Sequence, residues 1–272
     1  MNVTDEVIRA LDGVSNAQDA AHLQRFFKTG PGEYGEGDVF IGVRVPAIRK
    51  VAAEFAELGL AEVDVLLDSP VHEHRMAALV ITARRFERAG AARTRDDAER
   101  ERIADFYLAA VLRGRVNNWD LVDTSAERIL GGWLYDRRRD LVFELGADDD
   151  LWRRRVALLT TFGFIRRGDA STTLELAPEL LDDRRDLTQK AVGWMLREVG
   201  KRVDRRLLLD FLDEHAARMG ATTLGYATEH LDPDARAEYR RLRRSGAVAE
   251  GRPSATAPLR EAHLRTRSRA DR

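Results

Sequence analysis

Arg155-Val156-Ala157-Leu158-Leu159-Thr160 is a basic residue leading a run of small and apolar ones, and the same type of run occurs twice more. It is seen in Arg75-Met76-Ala77-Ala78-Leu79-Val80 and in Lys190-Ala191-Val192-Gly193-Trp194-Met195. Arg155 and Lys190 are 35 positions apart, Trp119 stands 36 before Arg155, and Arg75 stands 44 before Trp119. A period of about 35–45 residues, with two helices in each, is the mark of a HEAT-like solenoid. Such a repeat predicts that corresponding second helices line one concave face. Arg75, Trp119, Asp123, Arg155, Lys190 and Trp194 then converge along it.

The rest of the chain supports an all-α class. Apolar residues recur at helical spacing over 3–12 and 17–28, and Gly30-Pro31-Gly32 ends the second stretch. Pro46 sits in the first turn of a helix running to about Leu58. Further helices are predicted over 61–67, 71–88, 96–113, from Asn117, and over 136–145, 150–166, 173–181, 186–201, 204–216, 221–230 and 233–244. No strand-like alternation persists between turn signals. The Gly-rich segment Lys28–Asp38 lacks the Gly-Lys-Ser/Thr ending of a phosphate-binding loop. Residues 1–245 read as one domain. In 246–272, glycines and prolines break up Ala, Ser and Thr, and six Arg face three acids, the composition of a disordered basic tail.

Composition excludes several classes. The 272 residues include no cysteine, so there is no disulfide framework, thiolate metal site or cysteine nucleophile. The histidines are not spaced as metal ligands, and no metal or cofactor is expected. No apolar run reaches the roughly 20 residues of a membrane span and no signal peptide is evident, which makes a cytoplasmic, nucleoid-associated location the expectation. The net charge of −1 hides a gradient. Residues 1–74 hold six Lys/Arg against thirteen Asp/Glu, while 150–206 hold thirteen against nine, the kind of local excess that meets a phosphate backbone.

Asn117-Asn118-Trp119-Asp120-Leu121-Val122-Asp123 carries the chemistry. Asn117 is placed to cap a helix and Asp120 to favour its positive end, at most about 1 kcal/mol of helix stability. Trp119 and Asp123 then share a face one turn apart, an indole and a carboxylate suited to a cationic or developing-cationic group. From spacing alone the simpler account is a core tryptophan and a solvated acid.

With these stretches in view, the chain resembles the AlkD-like family of DNA alkylation repair proteins, HEAT-like DNA glycosylases. The resemblance rests on Phe26–Gly35 with Val39–Pro46, on Trp119-Asp120-Leu121-Val122-Asp123, on Trp152–Ala157, and on Gln189–Glu198. It spans roughly residues 20–230. It implies that Trp119 and Trp194 pack on the deoxyribose of the damaged nucleotide, that Asp123 stabilises an oxocarbenium-like transition state, and that Arg155 holds a backbone phosphate. It further implies DNA contacts from Arg75, Arg154, Lys190, Arg197, Tyr34 and Lys28. The substrate would be double-stranded DNA containing cationic N3- or N7-alkylated purines, processed without base flipping by a monomer. Around Met219–Ala227 two arginines of the family pattern are absent. The alternatives are a non-catalytic HEAT-like scaffold for DNA or protein, and a glycosylase for bulky alkyl adducts.

Overall fold

In the computed structural model, which describes residues 2–249 and their side chains through 245, the helices follow in order. They are α1 (Val3–Asp12), α2 (Ala17–Phe26), α3 (Val45–Glu54), α4 (Leu60–Leu67), α5 (His72–Gly90), α6 (Asp97–Leu112), α7 (Trp119–Ser125) and α8 (Leu130–Trp133). There follow α9 (Asp140–Ala147), α10 (Leu151–Ile165), α11 (Ser171–Leu176) with a 3₁₀ turn (Ala177–Leu180), α12 (Asp186–Arg202), α13 (Arg205–His215), α14 (Ala221–Ala227) and α15 (Pro233–Ala249). Among the described residues the only β-type pairing is one parallel bridge between Val39 and Val71.

Helices α5, α7, α10, α12 and α14 pack side by side in one row, and α4, α6, α9 and α13 each cover a neighbour in it. Contacts between residues of matching position show that the row runs in one direction. Arg155 near the start of α10 meets Asp123 of α7 and the Leu187 carbonyl of α12, and Phe162, two turns on, meets Trp194. Gln189 and Gly193 of α12 likewise meet Gly220 and Thr223 at α14, and Arg197 meets Glu229 beyond it. The molecule is a helical-repeat solenoid, as the spacing of the basic-led runs requires.

Burial explains why α5 and α10 do not show a clean amphipathic stripe. Residues 72–83 and 155–165 are buried almost without a break, because each helix has neighbours on several sides. At the crossing of α8 and α10 the backbones touch: a Cβ on Gly163 would lie 2.8 Å from the Glu127 carbonyl oxygen and from Gly131 Cα. That approach is closed to any other residue type.

Several boundaries shift by a few residues, α9 starting at Asp140 and α3 ending at Glu54, and three departures have a structural reason. Helix α7 starts at Trp119, and its cap is Asn118, whose side chain accepts the Trp119 N–H at 2.8 Å. Asn117 instead accepts from Arg75. Helix α8 was not anticipated because Gly131-Gly132 reads as a turn when the packing partner is unseen. Helix α15 continues to Ala249, so residues 246–249 are helical, and 250–272, the rest of the expected tail, lie outside the described residues.

The Gly163 crossing yields a test of sign. Gly→Ala in a helix interior ordinarily stabilises by up to about 1 kcal/mol. Gly163→Ala should instead destabilise by about 1–3 kcal/mol, the cost of overpacking, as read from urea unfolding.

Candidate functional site

The segment between α2 and α3 folds around buried acids. Asp38 is 6% exposed and accepts from the Arg75 guanidinium, from His72 Nδ1 at 3.0 Å and from Asn118 Nδ2 at 3.2 Å. His72 Nε2 lies 2.9 Å from Asp120 Oδ2. An imidazole with a carboxylate at each nitrogen must donate from both, which only the protonated ring can do. Burial pushes the His72 pKa down, but Asp120 and Asp38 outweigh it and the net shift is upward. Burial pushes Asp38 up, but His72, Arg75 and Asn118 carry it below the ordinary value.

Next to this network Glu73 receives the backbone N–H groups of Ile41, Gly42 and Val43, with Gly42 at 2.8 Å. Gly42 has φ 83°, and a Cβ there would run into the Asn16 carbonyl, so the loop can turn only on glycine. The result positions aromatic rings. Phe27 stacks on Trp119 with centroids 5.2 Å apart and planes within 7°, and Phe26 meets Trp119 edge-on at 6.2 Å. The Trp119 indole lies near the Tyr34 hydroxyl and partly offsets the rise that burial gives its pKa. Tyr34 in turn meets Trp152 edge-on at 6.0 Å and carries the Lys28 ammonium 5.9 Å above its ring.

Asp123 lies one turn along from Trp119. Its carboxylate accepts from Arg155 Nε at 2.9 Å and Nη2 at 2.8 Å, a two-pronged pair, while Arg155 Nη1 donates to the Leu187 carbonyl at 3.0 Å. Arg155 is 5% exposed and Asp123 about a fifth exposed. Burial raises the Asp123 pKa above the ordinary carboxylate value in spite of Arg155, and the Asp120 charge adds to the rise. Asp120, Asp123, Trp119, Phe26 and Phe27 all border one cavity of about 520 Å³, floored by Phe40, Val43, Ile48 and Met76.

The sequence-expected set therefore divides. Asp123, Arg155 and Trp119 come together. Trp194 packs on Phe162 at 5.7 Å, about two turns or 10 Å along α10 from Arg155, and does not border the cavity. Arg155, expected to hold a phosphate, has its guanidinium spent on Asp123 and Leu187. Arg75 is buried against Asp38 and Asn117 rather than open to a concave face. Arg154 is fastened to Asp183 at 2.9 Å and to the Asp148 carbonyl, and Arg197 to Glu198 and Glu229. Lys28 is exposed, Tyr34 half-buried, and Lys190 pairs with Asp186 at 2.7 Å on an accessible face. Asp120 is no simple helix-start acid, since it holds a buried imidazolium. Sequence reasoning missed Asp38, His72, Glu73 and Phe27. The available signal was a run of charged residues, His72–Arg75, opening a helix with no polar stripe.

Fold and site together define a helical-repeat protein with a carboxylate–arginine pair beside stacked aromatics. The model of the DNA alkylation repair enzyme family matches residues 7–231, and the chain belongs to that family. Alkylation damage in DNA is accordingly its field of action. Among solved structures it is similar to a predicted DNA alkylation repair enzyme from Enterococcus faecalis, with a TM-score of 0.62 at 16% identity over 80% of this chain and 97% of that one. At this identity the likeness is one of fold. Comparison with curated proteins gives no significant match. Among the described residues no helix is long and apolar enough to cross a membrane.

Two outcomes follow from the network. A raised His72 pKa contributes stability that is complete below about pH 6.5 and is lost as pH rises through the folded value. A lowered Asp38 pKa contributes stability present above about pH 3.8 and lost as pH falls through its folded value. Urea titrations should show both flanks, and His72→Gln should remove the alkaline one; an unchanged alkaline flank would contradict the assignment. Asp120→Asn should cost about 1.5–3 kcal/mol, the worth of a hydrogen bond to a charged partner, rather than a helix-start acid's 1 kcal/mol or less.

Proposed function

We propose that this chain is a DNA glycosylase that hydrolyses the N-glycosidic bond of cationic N3- or N7-alkylated purines in duplex DNA, without flipping the base. The observation that carries this reading is the Asp123 carboxylate, held by two prongs of Arg155 and beside the Trp119 ring, at the edge of a solvent-open cavity. A cationic purine needs no strong general acid. As the C1′–N bond breaks, the base takes the bonding pair and departs neutral, and positive charge develops on the sugar. A fixed carboxylate stabilises that charge electrostatically, and aromatic faces add cation–π attraction. Water then bonds to C1′ and gives up its proton.

In this reading Asp123 faces C1′, Trp119 supplies the adjacent aromatic face, and Trp194 supplies a second one on the next helix but one of the row. Arg155 is a positioning residue: it fixes the carboxylate's orientation and keeps it ionised against its burial. Lys28, Tyr34 and Lys190 are the accessible groups proposed to meet DNA. The enzyme would act as a monomer and use no metal or cofactor.

A second reading keeps the chemistry and enlarges the lesion. The 520 Å³ cavity that begins at Trp119 and Asp123 is of ligand-binding size and joins an apolar part at Phe40, Val43, Ile48 and Met76 to a charged part at Arg44, Arg49, Arg128 and Arg166, room for the bulk of a large alkyl adduct. Release rates from duplexes carrying 7-methylguanine and a bulky N7 adduct, compared in the same assay, separate the two.

The test is base release from 7-methylguanine DNA by purified protein without added metal. Asp123→Asn should lower single-turnover release by about 10²–10³-fold, or about 2.7–4 kcal/mol, with DNA affinity unchanged or slightly higher. Retention of full activity would rule out Asp123 as the stabilising charge. Because the working form is ionised and its pKa is raised, the rate should fall on acidification at a pH above the ordinary carboxylate range. Arg155→Gln removes the influence that lowers this pKa, so it should move the acid limb to still higher pH.

A further inference from the structure

Among the described residues most cations of the helix row are occupied by protein, Arg84 and Lys201 being the two without an acidic partner. Arg75, Arg154, Arg155 and Arg197 each face a carboxylate, Arg185 faces Asp183, Arg202 faces Glu198, and Lys190 faces Asp186. Helix α14, at the end of the row, contains no Lys or Arg at all, and its Gly225 opens on empty space. Residues 1–232 hold 34 Lys/Arg against 41 Asp/Glu, a net of −7. A body of that sign repels the polyanion on which the family acts.

The sequence from α15 onward reverses the balance, and α15 itself holds five Arg against two acids. Residues 233–272 hold eleven Arg against five acids. Within α15, Arg240, Arg241, Arg243 and Arg244 fall in five residues, and among the described residues none of their guanidiniums has an acidic or carbonyl partner. Elsewhere in the described chain, cations without an acidic partner come singly or as the pair Arg49-Lys50. Tyr239 is buried and its hydroxyl donates to Asp213 of α13 at 2.7 Å, which pins one side of α15 to the array. At 100° per residue, Arg240, Arg241 and Arg244 centre on the side opposite Tyr239, and all three are exposed around a shallow depression that Ala237 and one acid, Asp234, complete. The family match ends at residue 231, before this helix begins.

We infer that the Arg240/Arg241/Arg244 face of α15 is a second contact for the phosphate backbone of duplex DNA, set apart from the Asp123 site. Guanidiniums without protein partners are the groups that can displace condensed counterions, and three of them about one turn apart match a phosphate strand. Helix α15 is held on α13, which covers α12, and Asp123 lies two helices back along the row on α7, so the contact is apart from the Asp123 site and anchors DNA by charge without reading sequence.

This inference rests on DNA as the chain's partner, and its test is binding rather than chemistry. The full chain and its R240A/R241A/R244A variant are titrated with an undamaged 24-base-pair duplex over a range of salt. Three lost phosphate contacts should make the log–log salt slope shallower by about 2.7, so that the fall in affinity between about 50 and 200 mM salt is about 40-fold smaller. The charge-retaining R240K/R241K/R244K variant should keep the wild-type slope. An unchanged slope in the alanine variant overturns the assignment, as does equal loss in the lysine variant. If the alanine variant instead loses affinity only for single-stranded RNA, the partner is misassigned. Base release by the wild-type chain examines the glycosylase reading separately, and neither readout depends on the other.

Discussion

A buried carboxylate without partners costs several kcal/mol, and Asp38 escapes that cost only when three donors reach it together. Arg75 and His72 come from the first turn of α5, and Asn118 comes from the residue that caps α7. Removing any one leaves charge buried in the wall. The glycine-rich segment, the start of α5 and the start of α7 therefore fold as one unit. Glu73 works alongside, gathering three successive backbone N–H groups that would otherwise be orphaned in a segment with no regular structure.

From this unit the site follows. Once Asn118 is held, α7 must begin at Trp119, and the indole meets Phe27 on one face and Phe26 edge-on. One turn later the chain delivers Asp123 to Arg155. A buried ion pair of this kind contributes more to geometry than to net stability, since desolvation offsets most of its attraction. For a group proposed to meet a developing cation, fixed direction is the useful property.

Periodic features were legible in the sequence. The helices with strong apolar spacing appear within a few residues of expectation, and the Trp119–Asp123 spacing puts both on the site. What stayed hidden was the partner of each charge. Arg75, Arg154 and Arg197 look available to DNA when read singly, but their acids stand 37, 29 and 32 residues away. Arg155 and Asp123 are also 32 apart. These separations are about one repeat, so the pairs are bonds between neighbouring repeats, and only the stacked array reveals them. Asp38 and His72 were missed for a related reason: a lone acid in a loop has no period, and its importance comes from what the fold lays over it.

The guanidinium of Arg155 has one further property. Rooted in α10, it grips the side chain of Asp123 on the helix before and the backbone of Leu187 on the helix after. Three consecutive layers of the spring are thus riveted at a single planar group. Flexing the spring would strain that rivet first, and a longer Asp123–Arg155 separation leaves the carboxylate less compensated and more basic. Helix spacing and proton affinity become one variable: the closer α7 and α10 are held at this group, the better the Asp123 charge is compensated.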